Sequence, residues 1–241
     1  MKPWVNRMAG HRGVRSLAPE NTLSSFRKAI ELGLNWVETD TQLSADEVPV
    51  VIHDKTVDRC SNGWGSVRYL SVNQIQQLDA GSWFSSEFKH QQIPTLEQVL
   101  TLCKTHHLHI NLELKYYYDK DISLLCQRVK EIIHKIDFPE NELIFSSFSH
   151  KIMLEIKEVL PHIRRGQLYD KIPTNWEQEL QEIQAYSLHC NYKYLDQKIA
   201  QAIKDAGYIL MIYTPNNAKS VKPMWDWGVD MIISDSPQHF K

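Results

Sequence analysis

The chain has 241 residues, of which 42% are hydrophobic and 23% charged, a composition that fits a folded globular protein and excludes a disordered one. Its 27 Lys and Arg residues against 29 Asp and Glu residues leave a net charge of −2, with no basic stripe of the kind that nucleic-acid binders carry. No apolar run approaches the roughly 20 residues of a membrane span, and the N-terminal MKPWVNRMAGHRG lacks the apolar region of a signal peptide. None of the cysteines forms a CxxC pair. The sequence therefore predicts a cytoplasmic protein with free thiols and no membrane span.

Short apolar runs of strand length alternate with amphipathic segments along the whole chain. The predicted strands are Trp4–Ala9, Trp36–Leu43, His109–Leu114, Leu143–Ser147, Arg164–Leu168, Tyr186–Cys190, Tyr208–Tyr213 and Met231–Ser234. The predicted helices are Thr22–Leu32, Leu96–Lys104, Ile122–His134, His150–Leu160, Trp176–Ile183, Gln197–Ala206 and Ala218–Trp227. Eight strands alternating with helices in a chain of this length predict one domain over residues 1–241, an α/β fold of the (β/α)8 TIM-barrel type.

One interval interrupts this alternation, between the second and third predicted strands. It holds a short apolar run, Val48–Ile52, and then a Gly/Ser/Asn-rich stretch. We interpret residues 55–93 as a small insertion on the catalytic rim of the barrel. Four aromatic side chains in it are expected to form a small core, with contact to substrate as the alternative: Trp64, Trp83, Phe84 and Phe88.

Titratable side chains cluster where the predicted strands end. In a barrel of this type the active site is built at the carboxyl ends of the strands and in the loops that follow. Residues i and i+2 of a strand point to the same side, which pairs Glu38 with Asp40 and Glu113 with Lys115. The remaining candidates are His11 and Arg12 after the first strand and His53 after Val48–Ile52.

The residue types at this end of the barrel indicate a specific chemistry. Three converging carboxylates repel one another unless one takes up a proton or a cation lies between them, and oxygen ligands suit Mg²⁺ or Ca²⁺. Arg12 and Lys115 would then remain for an anionic substrate, of which a phosphate is the obvious candidate. His11 and His53 could divide the work of general base and general acid.

An ordered set of short motifs runs along the chain. The segments are His11-Arg12-Gly13, Ala18-Pro19-Glu20-Asn21-Thr22, Val37-Glu38-Thr39-Asp40, His53-Asp54, Ile93-Pro94-Thr95-Leu96, Leu112-Glu113-Leu114-Lys115 and Gly228-Val229-Asp230. In these motifs, in their order and their spacing, the chain resembles the glycerophosphodiester phosphodiesterases over nearly its whole length. That resemblance implies a TIM barrel with a small insertion after strand two, and metal-assisted hydrolysis of glycerophosphodiesters to glycerol 3-phosphate and an alcohol.

The resemblance also implies a role for each matched residue and shows two departures. Where the family often has Trp-Thr-Val-Asn at the end of strand seven, this chain has the segment 212–216, and Ser234-Asp235 stands in place of the usual Thr-Asp. The implied roles are acid/base catalysis by His11 and His53, metal binding by Glu38, Asp40 and Glu113, phosphate contact by Arg12 and Lys115, and structural support by Glu20 and Asn21.

Two other functions are compatible with the same residues. The first is a lysophospholipase D or sphingomyelinase-D-like activity, for which Trp83, Phe84 and Phe88 could supply an apolar surface for an acyl chain. The second is a barrel that binds without catalysis, which the seven intact polar positions disfavour. In each case we expect a small-molecule partner, no nucleic acid, and a monomer or a homodimer.

Overall fold

The computed structural model describes residues 6–240, in which eight parallel strands close into a barrel. Each barrel strand pairs with the next one along the chain, and pairing of the first with both the second and the last closes the sheet. A short additional strand pairs antiparallel with the last three residues of the second barrel strand, Thr41 to Leu43. The strands are β1 (Met8–His11), β2 (Trp36–Leu43), β3 (Pro49–Val51), β4 (His109–Leu114), β5 (Leu143–Ser147), β6 (Arg164–Tyr169), β7 (Ser187–Asn191), β8 (Ile209–Tyr213) and β9 (Met231–Ser234).

Helices follow the strands and cover the outside of the barrel, and local signals in the sequence set several of their ends. The Thr22 side chain accepts the backbone N–H of Ser25 at the first helix, which ends at Gly33 in the left-handed conformation. Thr95 and Gln98 form the predicted capping box. The helices are α1 (Leu23–Leu32), α2 (Val72–Gln76), α3 (Leu96–Thr105), α4 (Ile122–Ile136), α5 (His150–Val159), α6 (Trp176–Glu182), α7 (Gln197–Asp205) and α8 (Ala218–Asp226).

The predicted (β/α)8 barrel is confirmed, and most element ends agree to within one or two residues. The first strand is the main difference. Trp4 and Val5, where it was expected to begin, lie outside the described residues, and it continues past Ala9 to His11. This extension arises because His11 is the register partner of Glu38 in β2. Sheet pairing therefore fixes the first catalytic candidate directly beside an acidic one.

The segment from Lys55 to Ile93, called the rim segment below, lies between β3 and α3. It has a small aliphatic core of its own, separate from the main one and completed by two residues at the end of β3, formed by Val50, Ile52, Val57, Val67, Ile75, Ala80 and Ile93. The expectation of an aromatic core here was wrong. Trp64 and Trp83 are exposed, and Trp83, Phe84 and Phe88 stack edge-to-face on one another outside the aliphatic cluster.

Strand register determines which side chains enter the barrel. Glu38 in β2 is the register partner of Asn111 in β4, and Glu113 in β4 is the partner of Ser146 in β5. Side chains at alternate positions share a face, so these four residues point to the barrel interior. Below them, toward the amino ends of the strands, the interior contains an apolar cluster: Ala9, Ile144, Met211, Met231 and Ile233.

Two further findings concern sequence expectations. The cysteines Cys60, Cys103, Cys126 and Cys190, all within the described range, are free and buried. None of the helices between residues 6 and 240 combines the length and the apolarity that crossing a bilayer requires.

Candidate active site

A cavity of about 190 Å³ opens at the carboxyl ends of the strands. Its lining changes character around the barrel. The residues from β1 to β5 with their loops are mostly polar: His11, Arg12, Glu38, His53, Asn111, Glu113 and Ser146. The residues after β5 and on β6 to β9 are mostly apolar: Phe148, Leu168, Tyr213, Thr214 and Ile233. The site therefore has a charged half and an apolar half.

Three carboxylates meet at the charged half. Glu38, Asp40 and Glu113 are buried, and one oxygen of each lies within 4.8 Å of the others. This grouping follows from the sheet, because Asp40 is the register partner of Glu113 and shares a strand face with Glu38. The structure thus brings together the three acidic residues that the sequence singled out.

Burial and mutual repulsion change how these carboxylates ionise. Burial, with the charges of Asp40 and Glu113 beside it, raises the pKa of Glu38 well above its ordinary value. Burial raises the pKa of Glu113 to about 7. Burial acts on Asp40 in the same sense, but the charges of Lys115 and Arg12 outweigh it and hold the pKa of Asp40 below the usual range. The cluster thus favours an added positive charge, either protons or a cation.

The donor set fits a divalent cation. All three groups offer hard oxygen atoms, and Oδ1 of Asp40 is buried with no hydrogen-bond partner among the described residues. Part of the required charge already comes from Lys115, whose Nζ lies 2.7 Å from Glu113 and 3.4 Å from Asp40. Lys115 lies outside the cavity lining and faces a neighbouring cleft with Tyr116 and Tyr117, so the structure shows the i, i+2 ion pair with Glu113 that the sequence allowed as the alternative to phosphate contact.

Arg12 likewise binds carboxylates rather than standing free. Its Nη1 donates to Glu20 over 2.6 Å, and its Nε lies 3.4 Å from Asp40. Its backbone N–H donates to Oε2 of Glu38 over 3.2 Å, which the left-handed backbone at Arg12 (φ 52°) permits. The guanidinium nevertheless forms part of the cavity wall, where it can meet an anion.

His11 is held from behind by an aspartate near the other end of the chain. Its Nδ1 lies 2.5 Å from Oδ1 of Asp235, and its Nε2 lies 3.7 Å from Glu38 on the side of the acidic cluster. Asn216 donates to the second oxygen of Asp235 over 2.8 Å and accepts its backbone N–H. Burial lowers the pKa of His11, and the hydrogen bond to Asp235 opposes that shift. The contact places the proton on Nδ1 and leaves Nε2 to react.

His53 has the same arrangement with a different partner. Its Nδ1 lies 2.7 Å from Oδ1 of Asp54, and burial lowers the pKa of the imidazole. Arg59 of the rim segment holds Asp54 with two hydrogen bonds, of 2.6 and 3.0 Å, and holds Glu20 with two more, of 3.0 and 2.8 Å. These hydrogen bonds from Arg59 hold the pKa of Asp54 at about 2. The rim segment is thereby tied to the partners of both His53 and Arg12.

Sequence reasoning missed several residues of this site. Asp235 was noted only as part of Ser234-Asp235, where Ser replaces the usual Thr, because 224 positions separate it from His11 and no local pattern joins them. Arg59 carried no motif signal. Asn111 lies two positions before Glu113 and so on the same strand face, which was a usable sign that it also points into the barrel. Asn21, predicted to give structural support, donates to Asp40 over 2.9 Å.

The fold and these contacts define a (β/α)8 barrel whose carboxyl-terminal rim carries an acidic oxygen cluster flanked by two carboxylate-held histidines. A profile of the glycerophosphoryl diester phosphodiesterase family matches residues 11–239. The glycerophosphodiester phosphodiesterase of Caldanaerobacter subterraneus subsp. tengcongensis is 36% identical over 95% of this chain and 93% of its own. The chain belongs to the glycerophosphoryl diester phosphodiesterase family.

Solved structures agree with this assignment. A phosphodiesterase of Oleispira antarctica, determined in complex with the product sn-glycerol-3-phosphate, superposes with a TM-score of 0.92 at 32% identity, covering 97% of this chain and 94% of that one. The glycerophosphodiester phosphodiesterase of Agrobacterium tumefaciens superposes with a TM-score of 0.83 at 28% identity, covering 98% of each chain. The resemblance inferred from the sequence motifs is confirmed.

Proposed function

We propose that this protein hydrolyses glycerophosphodiesters, such as glycerophosphocholine and glycerophosphoethanolamine, to sn-glycerol 3-phosphate and an alcohol. The observation that supports this most directly is the placement of His11 and His53, each with Nδ1 on a carboxylate, beside one acidic cluster. Phosphodiester hydrolysis needs a base for the nucleophile, an acid for the leaving alkoxide and positive charge for the phosphoryl oxygens. This half of the cavity offers groups for each task.

The two histidines serve as the acid/base pair in this proposal. One Nε2 takes a proton from the nucleophile, which is water or the neighbouring hydroxyl of the glycerol unit, and the other gives a proton to the departing alkoxide. Where the hydroxyl attacks, a cyclic phosphate forms, and water then opens it to glycerol 3-phosphate with the roles of the two histidines exchanged. The carboxylates Asp235 and Asp54 hold the rings so that Nε2 faces the cavity and stabilise the imidazolium that forms.

Binding of the phosphate falls to the positive groups of the site. Arg12 lines the cavity and can contact phosphoryl oxygens, while Lys115 neutralises Glu113 and Asp40 from the side. Glu38, Asp40 and Glu113 would hold a divalent cation, Mg²⁺ or Ca²⁺. Such an ion, when bound, stabilises negative charge that develops on the phosphoryl oxygens.

The test is release of glycerol 3-phosphate from glycerophosphocholine and glycerophosphoethanolamine, with EDTA and with added Mg²⁺ or Ca²⁺. We expect release that depends on the cation. His11→Ala and His53→Ala are each expected to lower kcat by about 10²–10⁴ with little change in melting temperature. A near-normal kcat in either variant removes that histidine from the mechanism, and no release by the folded wild-type protein with either ion contradicts the proposal.

The lysolipid alternative finds less support in the geometry. It depended on Trp83, Phe84 and Phe88 as a surface for an acyl chain, and these three are absent from the cavity lining in the described part of the chain. A water-soluble diester is therefore the preferred substrate class.

We also propose a single domain in which the rim segment forms part of the active-site wall, supported by the contacts of Arg59 with Asp54 and Glu20. The four free, buried thiols support a cytoplasmic location, where disulfides rarely form. A monomer or a homodimer remains our proposal for the assembly, which sedimentation velocity can decide.

A further inference from the structure

Two polar side chains in the cavity wall have no role in the chemistry proposed above. Asn111 is 1% exposed and Ser146 fully buried, and both line the cavity. Neither the amide oxygen nor the amide nitrogen of Asn111 has a hydrogen-bond partner among the described residues, and the Ser146 hydroxyl also has none. Burying polar groups without partners costs stability, so these groups indicate an occupant that supplies hydrogen bonds.

The chemistry of the pair limits what that occupant is. The Asn111 amide has one group that only donates and one that only accepts, and the Ser146 hydroxyl can do either. A phosphate oxygen only accepts, and a quaternary ammonium group forms no hydrogen bonds. A hydroxyl group donates and accepts at once, so an alcohol or polyol satisfies both residues.

Position in the barrel agrees with this reading. Asn111 adjoins Glu38 in the strand register and Ser146 adjoins Glu113, so the pair lies beside the acidic cluster, away from His11 on β1. Past Ser146 the cavity wall becomes apolar at Phe148 and Leu168. A short carbon chain bearing hydroxyls would form hydrogen bonds on one side and apolar contacts on the other.

We propose that Asn111 and Ser146 form a subsite that binds the hydroxyls of the glycerol unit and thereby selects polyol phosphates over alkyl phosphates of equal length. The inference rests on the proposed function for its substrate class. The two residues are specificity determinants, since they bind the glycerol unit and not the phosphodiester bond that breaks. Burying these polar groups without partners lowers the stability of the ligand-free protein. Replacing the Asn111 amide by an apolar group of similar size should therefore leave the melting temperature equal or higher.

Calorimetry with the Mg²⁺-loaded protein can test the subsite with two matched ligands, sn-glycerol 3-phosphate and propyl phosphate, which differ only in the two hydroxyls. The wild-type protein should bind glycerol 3-phosphate the more tightly. Asn111→Leu should weaken that binding by roughly 10–100-fold and Ser146→Ala by roughly 3–10-fold, because each lost hydrogen bond to a neutral group is a factor of roughly 3–10 and the Asn111 amide forms two. Binding of propyl phosphate should change by less than about twofold. The apparent affinity for Mg²⁺ should stay unchanged.

Ser187→Ala is the control, because Ser187 is a buried serine on β7 whose hydroxyl is bound to His189 and which lies outside the cavity lining. Ser187→Ala should leave the affinities for glycerol 3-phosphate and for propyl phosphate unchanged. Equal losses for both ligands, or a loss of Mg²⁺ affinity, would overturn the subsite in favour of a role at the cation. Unchanged binding of glycerol 3-phosphate would overturn it in favour of ordered water.

Turnover of glycerophosphocholine by the wild-type protein, assayed in parallel, separates the two proposals. Turnover without any effect of Asn111→Leu on ligand preference overturns the subsite alone. A preference for glycerol 3-phosphate that depends on Asn111 in a protein without turnover overturns the catalytic proposal alone. A wild-type protein that does not prefer glycerol 3-phosphate to propyl phosphate also overturns the subsite.

Discussion

A carboxylate behind each histidine is the feature at the scale of single residues that most constrains the chemistry. An isolated imidazole can carry its proton on either nitrogen, and only one of these states leaves Nε2 free to accept a proton. Asp235 fixes this choice for His11 and Asp54 fixes it for His53. The two partners differ in support, since Asn216 holds Asp235 whereas Arg59 holds Asp54.

Asp235→Asn tests this positioning. The amide can offer N–H to Nδ1, which moves the proton of the neutral ring to Nε2, and it no longer stabilises the imidazolium. His11 is then impaired as base and as acid alike, so kcat should fall by roughly 10²–10⁴ while KM changes little. The measurement is steady-state hydrolysis of glycerophosphocholine, with the melting temperature recorded alongside. Asp226→Asn, at an exposed aspartate on the end of α8, is the control and should leave both kcat and KM unchanged. A loss in KM alone would assign Asp235 to substrate binding.

At the scale of elements, the sequence predicted strand and helix boundaries well wherever the spacing of apolar residues and the capping residues indicated the same boundary. Strands β2, β4, β5 and β9 were predicted to the residue, and the capping box fixed the start of α3. Contacts across long sequence distances could not be predicted in this way. Arg12 and Lys115 looked free for a phosphate because their ion pairs with Asp40 depend on how separate strands and loops meet.

The rim segment could be delimited from the sequence, but its connection to the site could not. Its aromatic residues drew attention because large apolar side chains usually form cores, yet smaller aliphatic side chains fill that role here. The link to the catalytic residues is Arg59, whose planar guanidinium matches two carboxylates at once. One arginine therefore couples this segment to both histidine support and phosphate contact.

Arg59→Lys should lower kcat roughly tenfold, because an ammonium cannot hold Asp54 and Glu20 with paired hydrogen bonds and the His53 ring loses its fixed orientation. Stability should change by no more than about 1 kcal/mol, because the side chain is partly exposed. Kinetics and thermal melting of the same preparation give both values.

Arg68→Lys is a matched control, since Arg68 also belongs to the rim segment and also forms a paired contact, with Asp121, outside the cavity lining. We expect a similar effect on melting and none on kcat. If both variants lose activity equally, the rim segment acts through its overall stability and not through Arg59.

At the scale of the whole molecule, the barrel interior is divided along its axis as well as around it. The acidic cluster and the histidines lie at the carboxyl ends of the strands, and an apolar cluster fills the interior beneath them. One titratable group departs from this division. His189 points inward from β7, is fully buried, and has only Ser187 as a side-chain hydrogen-bond partner among the described residues.

This histidine should make the folded state sensitive to acid. Burial lowers the pKa of His189 to about 3, whereas in the unfolded chain it stays near 6.5. Below pH 6.5 the unfolded state therefore binds a proton at His189 that the folded state does not bind. Stability thus falls as the pH falls and levels off only near the pKa of His189 in the folded state. From pH 7.5 to 5.0 the loss of stability due to this group should be about 2 kcal/mol, from about 1.4 kcal/mol per pH unit below 6.5.

His189→Gln keeps a polar partner for Ser187 without the titration, so urea unfolding at the two pH values should show it losing about 2 kcal/mol less stability than the wild-type protein. The other histidines are common to both proteins and cancel in this difference. An equal loss in the two proteins would mean that His189 takes up its proton inside the folded barrel.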